Sequence, residues 1–242
     1  MTDGGRMQLF CLPHAGGTSS VYEPWRALLA PRIEVVPVEL PGRGRRLREL
    51  PLDDLDGLTE DAMSGILRCL QPPFGLFGHS MGAVLAFECA RRLSQTHGCR
   101  PLILFASGHR APHLPPRPGP RVHELDDATF TARARELGGE FNDALEHEEL
   151  RALFLPVLRS DLKAAEAYVY RPGAALACDI VALGGEQDPH VSNAELLAWA
   201  EQTDAEFQVR TFVGGHFFFH HNGEQLLAAV EQRTWARSLN GC

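Results

Sequence analysis

The segment Gly78-His79-Ser80-Met81-Gly82 constrains the fold of this chain more than any other. It follows a short apolar run at residues 74–77 and precedes a helical pattern at residues 83–94. A serine exposed at so tight a turn needs strained backbone angles, and glycines two residues before and after it let a strand and a helix approach closely. The segment therefore predicts a sharp strand–turn–helix unit, with an ordinary tight turn as the alternative.

Short apolar runs alternate with helical patterns along most of the chain. This alternation predicts an α/β fold, with a mostly parallel central sheet and helices on both of its faces. The predicted strands cover residues 7–12, 33–40, 74–77, 102–106, 180–183 and 207–212. The predicted helices cover residues 22–30, 58–70, 83–94, 193–202 and 225–238.

One segment, residues 111–170, interrupts the alternation, and it is called the insertion below. It begins with a Pro-rich loop and continues as helical patterns without a strand. Its apolar stripe comprises Leu150, Leu153, Phe154, Val157, Leu158 and Leu162. Pro156 is expected to kink or split this helix. We expect residues 1–242 to form a single domain in which the insertion is a lid; a second small domain is the alternative.

Composition and charge exclude several classes of function. The formal net charge is −8, which disfavours general nucleic-acid binding, and no apolar run approaches the roughly 20 residues of a membrane span. The first six residues lack the features of a signal peptide, and the six cysteines show no CxxC spacing. We therefore expect a cytoplasmic protein with free thiols. His216, His220 and His221 lack an HExxH pattern, so we predict no metal and no cofactor.

Three residues form a candidate catalytic set. A nucleophilic serine needs a base, and the base needs an orienting acid. Asp188 and His216 each follow a predicted strand, as Ser80 does, so all three are expected at the carboxyl edge of the sheet. Their order along the chain, Ser, Asp, His, is that of the α/β-hydrolases.

Rivals exist for the acid and for the base. Glu186 lies two residues before Asp188, and we place it second because of its position in the loop. His220 and His221 follow His216, whose preceding glycines permit a close loop geometry. Asp179 precedes its strand and is therefore expected at the opposite edge of the sheet.

Two backbone N–H groups are candidates for an oxyanion hole. One is the N–H of Met81, which follows the nucleophile and opens a helix. The second is the N–H of Ala15, in the loop Pro13-His14-Ala15-Gly16-Gly17 after the first strand. A plain glycine turn is the alternative for this loop.

Five blocks, in order and spanning nearly the whole chain, resemble the type II (editing) thioesterases of polyketide and nonribosomal peptide synthesis, which are α/β-hydrolases. They are Phe10-Cys11-Leu12-Pro13-His14-Ala15-Gly16-Gly17, Glu39-Leu40-Pro41-Gly42-Arg43-Gly44-Arg45-Arg46, Gly78-His79-Ser80-Met81-Gly82, Gly184-Gly185-Glu186-Gln187-Asp188-Pro189-His190-Val191-Ser192 and Gly214-Gly215-His216-Phe217-Phe218. The segment from Leu158-Arg159-Ser160-Asp161-Leu162 to Tyr168-Val169-Tyr170 resembles the end of that family's lid. One departure is His14, where the family often has an aromatic residue; another is Phe212-Val213, where a proline is frequent.

The resemblance implies a function and a partner. It implies hydrolysis of stalled or aberrant acyl groups from the phosphopantetheine arm of acyl or peptidyl carrier proteins, with Ser80, Asp188 and His216 as the triad. The alternatives are an esterase or acyl-CoA thioesterase acting on small free substrates, a product-releasing thioesterase, and a catalytically silent binding protein. The core and the insertion use essentially all 242 residues, so we expect the carrier proteins to be separate chains.

A run of arginines is the candidate docking region on this acidic chain. Arg43, Arg45, Arg46 and Arg48 lie within six residues. Arg43, Arg45 and Arg46 are candidates, of which some would contact the phosphate of the pantetheine arm or an acidic carrier surface. The alternative is a solvated loop, or arginines that bind backbone carbonyls.

Overall fold

A six-stranded parallel sheet forms the centre of the protein. The computed structural model describes residues 6–137, 145–220 and 222–240. The strands are β1 (Met7–Leu12), β2 (Ile33–Pro37), β3 (Phe74–His79), β4 (Ile103–Ser107), β5 (Asp179–Gly185) and β6 (Phe207–Phe212). They are hydrogen-bonded in the order β2-β1-β3-β4-β5-β6, and each neighbouring pair is parallel. The predicted α/β fold with a mostly parallel sheet is confirmed.

Helices cover both faces of this sheet. The helices used below are α1 (Glu23–Leu29), α2 (Leu55–Leu67), α3 (Met81–Thr96), α4 (Asp127–Leu137), α5 (Glu148–Ala167), α6 (Asn193–Leu197) and α7 (Gly223–Asn240). Successive strand residues point to opposite faces, so Leu76 joins the core under α2 and α3 while Phe77 joins the core under α1 and α7. Most buried strand residues on both faces are apolar, as expected for parallel strands that are buried on both sides.

Some strands end where the sequence pattern did not predict. The third and fifth strands each run two residues beyond their predicted ends, into Gly78-His79 and Gly184-Gly185. Glycine is depleted in strands, so the pattern did not indicate these positions. The second strand ends earlier than predicted, at Pro37, which has no backbone N–H with which to continue a ladder.

The described part of the insertion is helical, and α5 is continuous through Pro156. Of the kink or split predicted at this proline, the split is therefore wrong. Pro156 and Ala152 are both exposed, so the Ala152 carbonyl that loses its hydrogen bond is open to water. The apolar stripe is also narrower than predicted, because Leu150 and Leu153 are 50% and 53% exposed while the residues around Val157 are buried.

Two further observations concern the chain as a whole. No helix in the described ranges combines the length and the apolar character that crossing a membrane requires. Cys11, Cys69, Cys89, Cys99 and Cys178 are free thiols, as predicted, and Cys242 lies outside the described residues. Burial raises the pKa of Cys89 to about 12, so this thiol stays protonated inside the core.

The turn between β3 and α3 packs backbone against backbone. A Cβ atom on Gly78 would lie 1.9 Å from the Gly82 carbonyl oxygen. A Cβ atom on Gly82 would lie 2.3 Å from the Leu12 carbonyl oxygen and 2.6 Å from that of Pro13. Only glycine fits at either position, because backbone atoms cannot move aside as a side chain can. This contact also fixes the start of α3 against the end of β1.

We expect Gly82→Ala to destabilise the protein by about 3 kcal/mol or more, since the added methyl overlaps the backbone of β1. Gly65→Ala in α2 is the matched control. Its Cβ would meet only Arg68 at 3.6 Å, so removing a helical glycine there should stabilise by roughly 0.5–1 kcal/mol. Urea unfolding of both variants measures the difference. Equal stability of the two variants would contradict the steric argument.

Candidate active site

Ser80 lies at the carboxyl end of the central strand β3 in a strained conformation. Its φ is 53° and its ψ is −121°. Among the described residues, Ser80 is the only non-glycine residue with a positive φ. Such a conformation costs about 1–3 kcal/mol and persists only where the surroundings enforce it. The Ser80 N–H donates to the Ser107 carbonyl at 2.8 Å, and the Ser80 side chain makes no hydrogen bond that caps α3. The hydroxyl therefore stands at the sheet edge without a capping role.

Asp188 and His216 form a hydrogen-bonded pair at the same edge. The Asp188 side chain is fully buried, and its Oδ2 lies 2.8 Å from His216 Nδ1. Its Oδ1 accepts the backbone N–H of His190 at 2.8 Å. With a proton on Nδ1 shared with the carboxylate, the His216 Nε2 is left as the acceptor, the tautomer that a general base requires.

The loops that carry the acid and the base are joined by hydrogen bonds. The Gln187 N–H donates to the Gly214 carbonyl at 2.9 Å, and the Gly214 N–H donates to Gln187 Oε1 at 2.6 Å. A Cβ on Gly185 would lie 2.2 Å from the Gly215 carbonyl oxygen, so the two loops touch through their backbones. The Asp188–His216 distance is therefore held by contacts between the residues that directly precede each member of the pair.

Aromatic and imidazole rings surround His216. The rings of His79, Phe217 and His190 lie 5.0, 5.2 and 5.3 Å from its ring, centroid to centroid. The His79 ring is fully buried, and its Nδ1 is hydrogen-bonded to the Ser107 hydroxyl at 2.9 Å.

Two histidines near His216, His190 and His109, have lowered pKa values. Burial, with the charge of His216 as a smaller cause, lowers the pKa of His190. Burial also lowers the pKa of His109 to about 4, although the hydrogen bond between its Nδ1 and the Arg110 carbonyl acts to raise it. A positive charge formed on His216 is thus opposed by neither of these two rings at neutral pH, and it is paired with Asp188.

The structure places the Ala15 loop beside the start of α3. The close approach of Gly82 to Leu12 and Pro13 brings the end of β1 against the first turn of this helix. Met81 supplies the first N–H of α3, one of the donors that no intrahelical acceptor satisfies. The two predicted oxyanion donors therefore belong to segments that are in contact. In the same loop, the His14 ring packs edge-on against Phe217 at 5.0 Å, so it fills the place of an aromatic residue.

Arg43 does not occupy the surface that the docking prediction requires. It is 3% exposed, and its two terminal nitrogens bind the Asp161 carboxylate of α5 at 2.5 and 2.7 Å. The prediction that Arg43 contacts a carrier protein is therefore wrong for this arrangement, because the guanidinium is already paired and enclosed. Asp161 also accepts the Gly16 N–H at 2.7 Å.

Arg46 is likewise committed within the chain. Its guanidinium forms two-pronged contacts with Glu49 and with Asp61, and it donates to the Glu39 carbonyl at 3.0 Å. Its predicted role in docking is therefore unsupported, and it holds its own loop instead. Arg45 is exposed, and it keeps the role of candidate contact.

The rivals from the sequence lie elsewhere or outside the described residues. Glu186 is exposed and contributes its backbone N–H to the Phe212 carbonyl. Asp179 begins β5 at the opposite edge of the sheet, where it pairs with Arg233. His221 lies outside the described residues. Within the described ranges, no group of three or more potential metal ligands comes together.

Sequence reasoning missed two residues that shape the site. Asp161 had a signal, because it lies three and four residues after the buried Leu158 and Val157 and three before the buried Ala164. A carboxylate on the apolar face of a helix indicates a buried partner. Gln187 had no comparable signal, since a glutamine in a loop is ordinary.

Comparison with known proteins connects this geometry to a family. The thioesterase domain family model matches residues 7–234. The chain is 42% identical to the protein named linear gramicidin dehydrogenase LgrE of Brevibacillus parabrevis, over 96% of this chain and 89% of that protein. It is 41% identical to thioesterase PikA5 of Streptomyces venezuelae, over 91% of this chain and 78% of that protein. Among solved structures, the type II thioesterase BorB from the borrelidin biosynthetic cluster matches with a TM-score of 0.86 and 43% identity, over 94% and 92% of the two chains.

We expect Asp188→Asn to lower kcat for a chromogenic ester by about three to four orders of magnitude, because the amide favours the wrong His216 tautomer. Glu186→Gln is the matched control at the rival carboxylate, and it should leave kcat unchanged within about twofold. Steady-state kinetics of both variants decides between the two acids. A comparable loss in both variants would remove the distinction.

The lowered pKa of His109 predicts a pH dependence of stability. An unfolded histidine titrates near 6.5, so the unfolded state takes up a proton between about pH 6.5 and 4 while the folded state does not. This contribution to stability is complete above pH 6.5 and falls by up to about 3 kcal/mol as the pH drops to 4.

Urea unfolding between pH 4 and 7.5 should therefore show a shallower acid loss in His109→Gln than in the wild type. His97→Gln, at an exposed histidine, is the control. An acid loss of the same size in His109→Gln and in the wild type would show that His109 is not the group responsible.

Proposed function

Because this chain belongs to the thioesterase domain family and has the α/β-hydrolase fold, we propose that it hydrolyses acyl groups from the phosphopantetheine arm of separate carrier proteins. The observation that carries the proposal is the Asp188–His216 hydrogen bond of 2.8 Å at the edge where Ser80 is held with a positive φ. A nucleophile elbow together with an oriented imidazole is what acyl transfer requires.

The proposed reaction begins with attack by Ser80 on the thioester carbonyl. His216 Nε2 takes the hydroxyl proton, and Asp188 stabilises the imidazolium that forms. The backbone N–H groups of Ala15 and Met81 donate to the oxyanion, in a site where such donors are worth about 10²–10³ in kcat each. The thiol leaves readily, because its pKa is near 8.5 and it departs with the proton held by His216.

The second half of the reaction frees the acyl group. His216 takes a proton from water, which attacks the acyl-serine, and the proton then returns to the Ser80 oxygen. Uncharged neighbouring imidazoles favour both halves, because the imidazolium that His216 becomes in each half is then not opposed by their positive charge. The low pKa values of His109 and His190 support this role, since neither ring carries a charge at neutral pH.

The carrier protein as substrate is supported by relatives and by the position of the insertion. PikA5 is named a thioesterase, and BorB is described as a type II thioesterase of a biosynthetic cluster. The helices of the insertion pack over the loop of residues 13–17, which carries the Ala15 N–H. There, Phe154 and Leu158 of α5 pack against Gly16. An acyl chain that reaches Ser80 would pass beside these apolar side chains, so the insertion is the proposed lid. Arg45 is the proposed contact for an acidic carrier surface.

The proposal is tested with one acyl group presented in three ways: on a holo carrier protein, on coenzyme A and as an aryl ester. We expect kcat/KM to be at least tenfold higher for the carrier protein than for either free substrate. Ser80→Ala, as the control, should lose hydrolysis of all three. Intact mass after treatment with phenylmethylsulfonyl fluoride should show one adduct on the wild type and none on Ser80→Ala.

Each alternative has its own signature in these measurements. Preference for the free ester or for coenzyme A would overturn the carrier proposal in favour of a general esterase or acyl-CoA thioesterase. A cyclised product instead of the free acid would indicate product release. No adduct on the wild type, together with no turnover, would indicate a binding protein on a hydrolase fold.

A further inference from the structure

A buried ion pair connects the insertion to the oxyanion loop. Arg43 and Asp161 are 3% and 0% exposed and are separated by 118 residues. The Asp161 carboxylate accepts hydrogen bonds from both terminal nitrogens of Arg43. Its Oδ2 also accepts the Gly16 N–H at 2.7 Å. The guanidinium also contacts the carbonyls of Pro41 and Gly17 at 3.3 and 3.4 Å. This network holds the loop on one side and α5 on the other.

Such a pair is weak evidence for stability alone. Burying two charges costs much of what their attraction returns, and apolar residues of similar volume often fold as well. The placement of this pair is more informative than its strength. The Gly16 N–H belongs to the residue directly after Ala15, whose N–H is the proposed second oxyanion donor.

The hydrogen bonds of the loop determine where the Ala15 N–H points. The Gly17 N–H donates to the His14 carbonyl at 2.9 Å. In a planar trans peptide the Ala15 N–H points opposite to that carbonyl, so this turn orients the donor. Gly16 has a φ of +74°, a conformation free to change in glycine, and its N–H is held by Asp161. Without that acceptor, the Ala15–Gly16 peptide loses its hydrogen bond, and the Gly17–His14 turn alone is left to orient the Ala15 N–H.

We propose that Asp161 and Arg43 are positioning residues that keep the Ala15 N–H aimed at the oxyanion, and that this aim depends on α5 being seated. Asp161 supplies the acceptor for Gly16, and Arg43 neutralises and orients Asp161. Because Asp161 belongs to the insertion, movement of α5 away from the loop removes the acceptor. The oxyanion hole is therefore complete only when the lid is in place. This inference rests on the proposed function, in that Ser80 must be the nucleophile.

Two double variants isolate the acceptor oxygen. Arg43→Met/Asp161→Asn keeps an oxygen for the Gly16 N–H, whereas Arg43→Met/Asp161→Leu removes it. Neither leaves a buried unpaired charge, which would unfold the protein for an unrelated reason. We expect kcat for an aryl ester, divided by the fraction of Ser80 that a fluorophosphonate titrates, to be roughly tenfold to a hundredfold lower in the Leu variant. KM should change little, because the oxyanion forms only in the transition state.

The titration separates positioning from stability. A merely structural role lowers the fraction of reactive protein and leaves kcat per titrated site equal in the two variants, and that result would overturn the inference. Lys163→Gln is the matched control, because it breaks an ion pair between α5 and Asp53 only two residues away without touching Gly16. It should keep wild-type kcat per site; a loss equal to that of the Leu variant would also contradict the inference.

A measurement on the wild type covers the case in which a double variant does not fold. Hydrogen exchange should show the Gly16 amide opening together with the α5 amides around residue 161. Rapid exchange at Gly16 while α5 stays protected would overturn the coupling. Since an aryl ester and a fluorophosphonate replace the carrier, failure of the carrier assay leaves this test intact. Labelling of the Ser80→Ala variant by the fluorophosphonate would instead contradict the proposed function.

Discussion

The close contact of backbones at the β3–α3 turn is the constraint on which the site depends. Glycines at positions 78 and 82 let the start of α3 lie against the end of β1, with distances that no side chain permits. This one contact sets three things together: the strained Ser80, the first N–H of α3 and the beginning of the Ala15 loop. The proposed nucleophile and the proposed oxyanion donors thus depend on the same packing, since a shift of the helix would move both.

The parts of the site that follow strands could be predicted from the sequence. Ser80, Asp188 and His216 come after apolar runs, and parallel strands bring such positions to one edge without knowledge of any side-chain contact. Partners distant in the chain could not be predicted. Arg43 pairs with Asp161, which is 118 residues away in the sequence. A run of arginines in an acidic chain has the same sequence pattern whether the side chains face solvent or bind a carboxylate.

Local rules failed where tertiary context compensates for a local cost. Pro156 breaks one hydrogen bond, yet exposed backbone can be hydrated and the buried Val157 and Leu158 hold the helix on its other side. Gly184 and Gly185 extend β5 although glycine disfavours strands. A Cβ on Gly185 would overlap the backbone of the His216 loop, and a Cβ on Gly184 would overlap Leu196 of α6. In both cases the sequence pattern indicates a local loss of stability, and only the folded structure shows the contact that offsets this loss.

The Lys163–Asp53 ion pair has a consequence for chemical labelling. Lys163 is the sole lysine of the sequence, and it lies on α5 with its side chain half exposed. Arginine keeps its proton and does not react with activated esters near neutral pH, so the ε-amine at position 163 is the side-chain amine such reagents can modify. A fluorophore attached there would report the position of α5 from one known point, without an engineered cysteine, whose labelling the six native cysteines would complicate.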